Sequence, residues 1–123
     1  MASNRFSEFN TFPERLAHSW QHSNSMLCVG LDPDITRMPQ GYGTSPSEIE
    51  RFCMEIVKAT AEFACAFKPQ IAYFAANRAE VALENILAYA NEIAPHATTI
   101  LDAKRGDIGA TAKQYAIEAF ERY

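Results

Sequence analysis

Residues 98–115 read TTILDAKRGDIGATAKQY. The stretch opens as apolar, β-branched chain, then places four charges in six residues: Asp102, Lys104, Arg105 and Asp107. It passes at once into a helical pattern. A buried parallel strand running directly into a helix has this form. ATTILDA, 97–103, reads as the strand, and GATAKQYAIEAFERY, 109–123, as a long helix with Ala112, Tyr115, Ala116 and Phe120 on its inward face. A solvated loop ends a strand on charges by accident. The C-terminal edge of a parallel sheet does so because sites are built there.

The same grammar recurs upstream. ACAFKPQ gives a strand over 64–68 that stops on Lys68-Pro69, and MLCVGLDPD gives one over 26–31 that stops on Asp32-Pro33. Proline cannot donate a ladder hydrogen bond, so each strand ends where it stands. Between the strands lie helical patterns. In 46–63, Ile49, Phe52, Cys53, Ile56, Val57, Thr60 and Phe63 recur at three- and four-residue steps. Ser45 is placed to cap that helix, Pro46 to start it, and Glu48 to close a capping box. AEVALENILAYANEIA forms the next helix, with Val81, Ile86, Leu87, Ala90 and Ile93 buried and Pro95 ending it. TFPERLAHSWQHSNS precedes the first strand as a short amphipathic helix with Pro13 in its first turn. Strands alternating with helices define β-α units and a parallel sheet covered on both faces.

The 123 residues fit one domain, and 48% hydrophobic with 21% charged residues predicts a packed core. A net charge of −4 argues against nucleic acid as a partner, since phosphate binding needs a basic face. Cys28, Cys53 and Cys65 form no CxxC pair and sit in apolar surroundings, which predicts three reduced, buried thiols in a cytosolic protein. No stretch approaches the ~20 apolar residues of a membrane span, and the N-terminal stretch MASNRFSEFNTFPERLAHSW has no apolar leader region. The expectation is a soluble, cytoplasmic protein.

In a parallel sheet the three strand ends converge, so Asp32, Lys68, Asp102 and Lys104 are expected on one rim. Lys68, Asp102, Lys104 and Asp107 alternate in sign. Buried together, each lysine would be held charged by the flanking carboxylates and stand ready as a proton donor. Paired aspartates would repel a third carboxylate brought beside them. Such a site suits the expulsion of CO2 with protonation of carbon. Asp107 and Thr111 lie at the start of the third helix, and Arg105 reads as a surface or structural residue.

LCVGLDPD, FKPQIAYF and LDAKRGDIGATAKQYA together resemble the first three strand ends of orotidine 5′-phosphate decarboxylase, in its bacterial-type subgroup with the R-G-D-I-G turn. The resemblance covers roughly residues 26–120. It implies an N-terminal helix and three β-α units of a (β/α)8 TIM barrel, and conversion of orotidine monophosphate to UMP and CO2 without metal or organic cofactor. By resemblance, Lys104 is the lysine that protonates C6, and Asp102 sits beside the substrate carboxylate. Lys68 anchors the network and bonds the ribose, and Asp32 binds a ribose hydroxyl or the pyrimidine edge. Asp107 and Thr111 resemble positions donated across a homodimer interface into the neighbouring site.

The same D-x-K-x-x-D pattern occurs in Mg2+-dependent sugar-phosphate decarboxylases and synthases of the same barrel superfamily. These hold the metal partly with a glutamate from strand two, where this chain has Lys68. Length departs from the resembled family, because a complete barrel takes ~200–250 residues. The later strands, with the groups that grip pyrimidine and 5′-phosphate, have no counterpart in the sequence. Residues 1–123 are therefore expected to be the N-terminal part of a single barrel domain, with the edge of strand three open for a fourth. The alternative is a silent half-barrel that acts only with a complementing C-terminal portion.

Overall fold

The computed structural model describes residues 11–123. The first ten residues of the stretch read above for a leader lie outside the described part. Helix α1, Phe12–Ser23, starts at a capping box: the Thr11 hydroxyl accepts from the Glu14 amide, and the Glu14 carboxylate accepts from the Thr11 amide. Two orphan donors are thereby satisfied at once. Strand β1 is Leu27–Leu31, helix α2 Pro46–Thr60, strand β2 Ala64–Pro69, helix α3 Ile71–Ala75, helix α4 Glu80–Ile93, strand β3 Thr98–Thr99 and helix α5 Gly109–Ile117. Five residues of π-helical winding, Glu118–Arg122, continue α5.

The sheet is parallel, in the order β1-β2-β3. The middle strand β2 is buried along its length apart from Lys68, as expected of a strand covered by helices. The two outer strands differ. Most of β1 is exposed, including Cys28, so two of the three thiols are buried rather than all three. The reason is position: an edge strand has one neighbour, and helices cover less of it. In β3 the regular ladder spans two residues, shorter than the strand expected over 97–103. Single bonds carry the pairing on, from Ile100 N to Phe67 O (2.9 Å) and Asp102 N to Pro69 O (2.9 Å).

Ile49, Cys53 and Val57 of α2 and Ala82, Leu83, Ile86, Leu87 and Ala90 of α4 pack with Phe67 into the core. Val81, expected inside, is 65% exposed. At 100° per residue the buried set of α4 centres on Leu83 and Ile86, which puts Val81 on the opposite side. Phe63 is exposed too, because α2 has ended at Thr60 before reaching it. Ser45 caps α2 by accepting from the Glu48 amide at 3.3 Å, with Pro46 at the first turn. The reciprocal half of the capping box is not made. The Glu48 carboxylate instead accepts from Arg51 (2.6 Å) and from the Gly43 amide (2.9 Å), and Arg51 first, then Gly43, holds it down to a pKa of about 2.

The inward face expected for α5 stays open. No α5 residue is buried, and Phe120 is 86% exposed. This helix borders a cavity of about 650 Å3 lined by Arg15, Leu87, Leu101, Ala103 and Tyr115, so its apolar side meets open volume instead of packed side chains. Helix α1 is fastened to β3 by the buried Ser19 and Thr98 hydroxyls, 2.7 Å apart. No described helix is long and apolar enough to cross a membrane.

Candidate active site

The ends of the three strands are stitched together by backbone before any side chain is considered. Gly30 pairs with Lys68 and Leu31 with Pro69. Gln70 N donates to Leu31 O (3.3 Å), Asp102 N to Pro69 O (2.9 Å) and Ile71 N to Asp102 O (3.1 Å). The backbone groups of Asp102 are thus bound to the last residue of β2 and to the segment just past it. The sequence reading missed this role of Pro69–Ile71 and the short helix α3 they lead into. The signal was faint: a proline, which can only accept, and Gln70, whose side chain accepts from the Ala72 amide at 3.5 Å.

On this frame the Asp102 carboxylate stands between two ammonium groups. Lys68 Nζ lies 3.5 Å from Oδ2, and Lys104 Nζ lies 2.8 Å from Oδ1. Residues 34 and 36 positions apart in sequence from Lys68 therefore meet on one carboxylate, as the strand-end argument expects. The Lys104 hydrogen bond, more than any other influence, holds the Asp102 carboxyl below the usual carboxylate range, and Lys68 adds to it. Two cations and one anion give the trio a net charge of +1.

The trio is not buried as the sequence reading expected. The side chains of Lys68, Asp102 and Lys104 are 36%, 26% and 81% exposed. They stand on an open rim at the ends of the central strand β2 and the edge strand β3, where little protein covers them. Asp107 is exposed and stands outside the trio, with Oδ1 accepting from the Ile108 amide at 2.8 Å. Thr111 is exposed on the first turn of α5. Asp32, also exposed, follows β1 directly and makes no hydrogen bond to the trio. Its negative charge helps to raise the Cys53 thiol, which burial chiefly pushes up to about 12. Arg105, read as a surface or structural residue, pairs through Nε with Glu118 Oε2 at 3.1 Å. Among the described residues, no three His, Cys, Asp or Glu side chains converge to hold a metal ion.

A parallel sheet that delivers a charged trio from successive strand ends, flanked by helices from the intervening segments, is the N-terminal arc of a (β/α)8 barrel. An orotidine-monophosphate-decarboxylase assignment attaches to a solved Toxoplasma gondii structure that superposes with a TM-score of 0.77 at 37% identity, covering 88% of this chain and 36% of that one. The Leishmania donovani OMP decarboxylase superposes at 0.64 with 31% identity, covering 90% and 40%. The sequence model of the orotidine 5′-phosphate decarboxylase / HUMPS family matches residues 25–122, and the chain belongs to that family. The orotidine 5′-phosphate decarboxylase of Ralstonia nicotianae is 61% identical over 112 residues, and that of a Janthinobacterium species 59% over 113. These matches take in 91% and 92% of this chain but 41% and 42% of the relatives, so the chain spans about two-fifths of their length.

Proposed function

We propose that residues 1–123 form the N-terminal part of a single decarboxylase barrel domain that converts orotidine 5′-phosphate to UMP and CO2. The observation that carries the reading is the Asp102 carboxylate held between the Lys68 and Lys104 ammoniums at the strand ends. In the reaction the bond from C6 to the carboxyl carbon breaks and its electron pair stays on C6. Lys104 Nζ then gives C6 a proton, and the neutral amine recovers one from solvent. A fixed ammonium beside the developing carbanion stabilises it before the proton moves. Asp102 crowds the substrate carboxylate, Lys68 keeps Asp102 aimed and bonds the ribose, and Asp32 takes a ribose hydroxyl or the pyrimidine edge.

Asp107 and Thr111 stand apart from the trio on exposed surface, which favours service to the neighbouring site of a homodimer. The protein works in the cytoplasm on a small-molecule substrate. At the end of β2 stands a lysine, and a charged ammonium has no lone pair to offer Mg2+. The decarboxylase reading is therefore preferred to the metal-dependent one within the same superfamily. The groups that grip pyrimidine and phosphate belong to the remaining three-fifths of the relatives' length, so the isolated chain is expected to be silent.

The test is a chimera in which this chain replaces the matching part of the Ralstonia nicotianae enzyme. Loss of orotidine monophosphate absorbance should follow the chimera and not the chain alone. Lys104→Ala should cut turnover by ~10²–10⁴-fold or more. A folded but inactive chimera, or one indifferent to Lys104→Ala, refutes the reading.

A further inference from the structure

Lys104 is the most exposed member of the trio, and packing does little to hold it. Its place depends on the path of residues 103–108, which lie outside any helix or strand. The charged side chains of this loop make three hydrogen bonds or ion pairs. Lys104 meets Asp102, Asp107 accepts from the amide of its own neighbour Ile108, and Arg105 reaches across to Glu118. The first is the contact to be explained and the second is local. Ala103, at the start of the loop, packs against the core, and beyond Lys104 the third alone ties a side chain of the loop to a different element. Arg105 and Glu118 are 30% and 27% exposed, and the guanidinium also lies 5.7 Å over the Tyr115 ring. A guanidinium gripped by a carboxylate and an aromatic face on one helix has both its position and its plane fixed. Beyond Arg105 the backbone can pivot, since Gly106 has open space around it and Gly109 sits at φ +57°.

We propose that Arg105 is a positioning residue: its grip on Glu118 and Tyr115 of the α5 segment fixes the loop so that the adjacent Lys104 ammonium stays on Asp102. The role deepens the decarboxylase reading and takes from it the importance of Lys104. The clamp itself can be read without turnover.

The experiment is a carbon-13 NMR pH titration of the Asp102 carboxyl in the chain and its variants, with amide spectra confirming the fold. Lys104 is the main influence lowering that midpoint, so releasing the loop raises it. Glu118→Gln decides the matter through its sign. Removing an anion acts through space to lower the midpoint of a nearby carboxyl, whereas freeing the loop raises it. An upward shift in Glu118→Gln, towards the value in Lys104→Ala, is expected, with Arg105→Gln shifting the same way. The charge-reversed pair Arg105→Glu with Glu118→Arg should restore the original midpoint. A fall or no change in Glu118→Gln overturns the proposal, as does a rise in Arg105→Gln alone, which is a field effect. In the active chimera, Arg105→Gln should lower kcat by about tenfold with KM unchanged, the mark of a misplaced group. An inactive chimera beside the expected midpoint shifts would refute the decarboxylase reading and leave the clamp standing.

Discussion

The two hydroxyls that join α1 to β3 give the sharpest test of how the sheet is held. Ser19 Oγ donates to Arg15 O at 3.0 Å, and it lies 2.7 Å from Thr98 Oγ1. Each hydroxyl has one proton. With the serine proton committed to the carbonyl, Thr98 is the donor and Ser19 the acceptor. Thr98→Val keeps the volume and removes that donor, and Ser19 still satisfies its own proton on Arg15. The cost is one ordinary hydrogen bond, about 0.5–1.5 kcal/mol. Ser19→Ala leaves the buried Thr98 hydroxyl without its acceptor, which costs about 1–3 kcal/mol. The double variant removes the orphan as well as the bond, so it should be no less stable than Ser19→Ala alone. The coupling is then favourable by at least the Thr98→Val cost, about 0.5–1.5 kcal/mol, within the usual range for touching residues. Urea unfolding followed by the fluorescence of Trp20, the chain's one tryptophan and the neighbour of Ser19, measures all four corners. Effects that add to within ~0.5 kcal/mol would refute this proton assignment, as would Thr98→Val costing more than Ser19→Ala.

Leu83→Ala, at a fully buried α4 position, should lower stability by about 2–5 kcal/mol in the same assay, through lost transfer energy and a residual cavity. The His96 ring stacks on His22 at 4.5 Å, and burial, then the charge of His22, holds its pKa below the ordinary 6.5. The unfolded chain therefore takes up that proton first as pH falls, so stability should decline from pH 6.5 downward until the folded ring also titrates. His96→Phe should flatten that slope in unfolding curves taken across this window. Gly109→Ala forces a Cβ into a left-handed backbone at φ +57° with no compensating contact, for a loss of ~1–2 kcal/mol by thermal unfolding. Asp102→Asn should leave the urea midpoint nearly unchanged, because exposed ion pairs contribute little to stability, while abolishing turnover of the chimera.

The strand ends were legible because proline and charge punctuate them. Asp32-Pro33 and Lys68-Pro69 mark where β1 and β2 stop, and the spacing of Asp102 and Lys104 carries the third end. Local pattern could not supply sheet order. Cys28 and Val29 read like Cys65 and Phe67, yet β1 is an edge strand and β2 the centre, so their burial differs. The same limit explains Phe120: amphipathic spacing identifies an apolar face without showing whether anything packs on it. Val81 failed for a subtler reason, since α4 buries two adjacent residues, Ala82 and Leu83, and the face turns away from its first apolar position. Exposure of the trio was equally hidden, because charge spacing shows which groups meet and not how much protein covers them.

What fixes the trio is unequal at its three members. Asp102 is bound through its amide to the last residue of β2 and through its carbonyl to the backbone just beyond it, and Lys68 projects from the central strand. Those two are set by the sheet itself. Lys104 stands past the last ladder bond, and its ammonium has no fixed surroundings beyond the carboxylate it touches. The proton-donor role proposed for Lys104 calls for this asymmetry: a rigid carboxylate to aim at and to keep it charged, and enough freedom to leave that carboxylate for a carbon atom. Freedom without restraint would scatter the ammonium into solvent. On the proposed reading the restraint acts on the backbone either side of Lys104 instead of on its ammonium: Ala103 packs against the core before it, and Arg105 pairs with Glu118 after it.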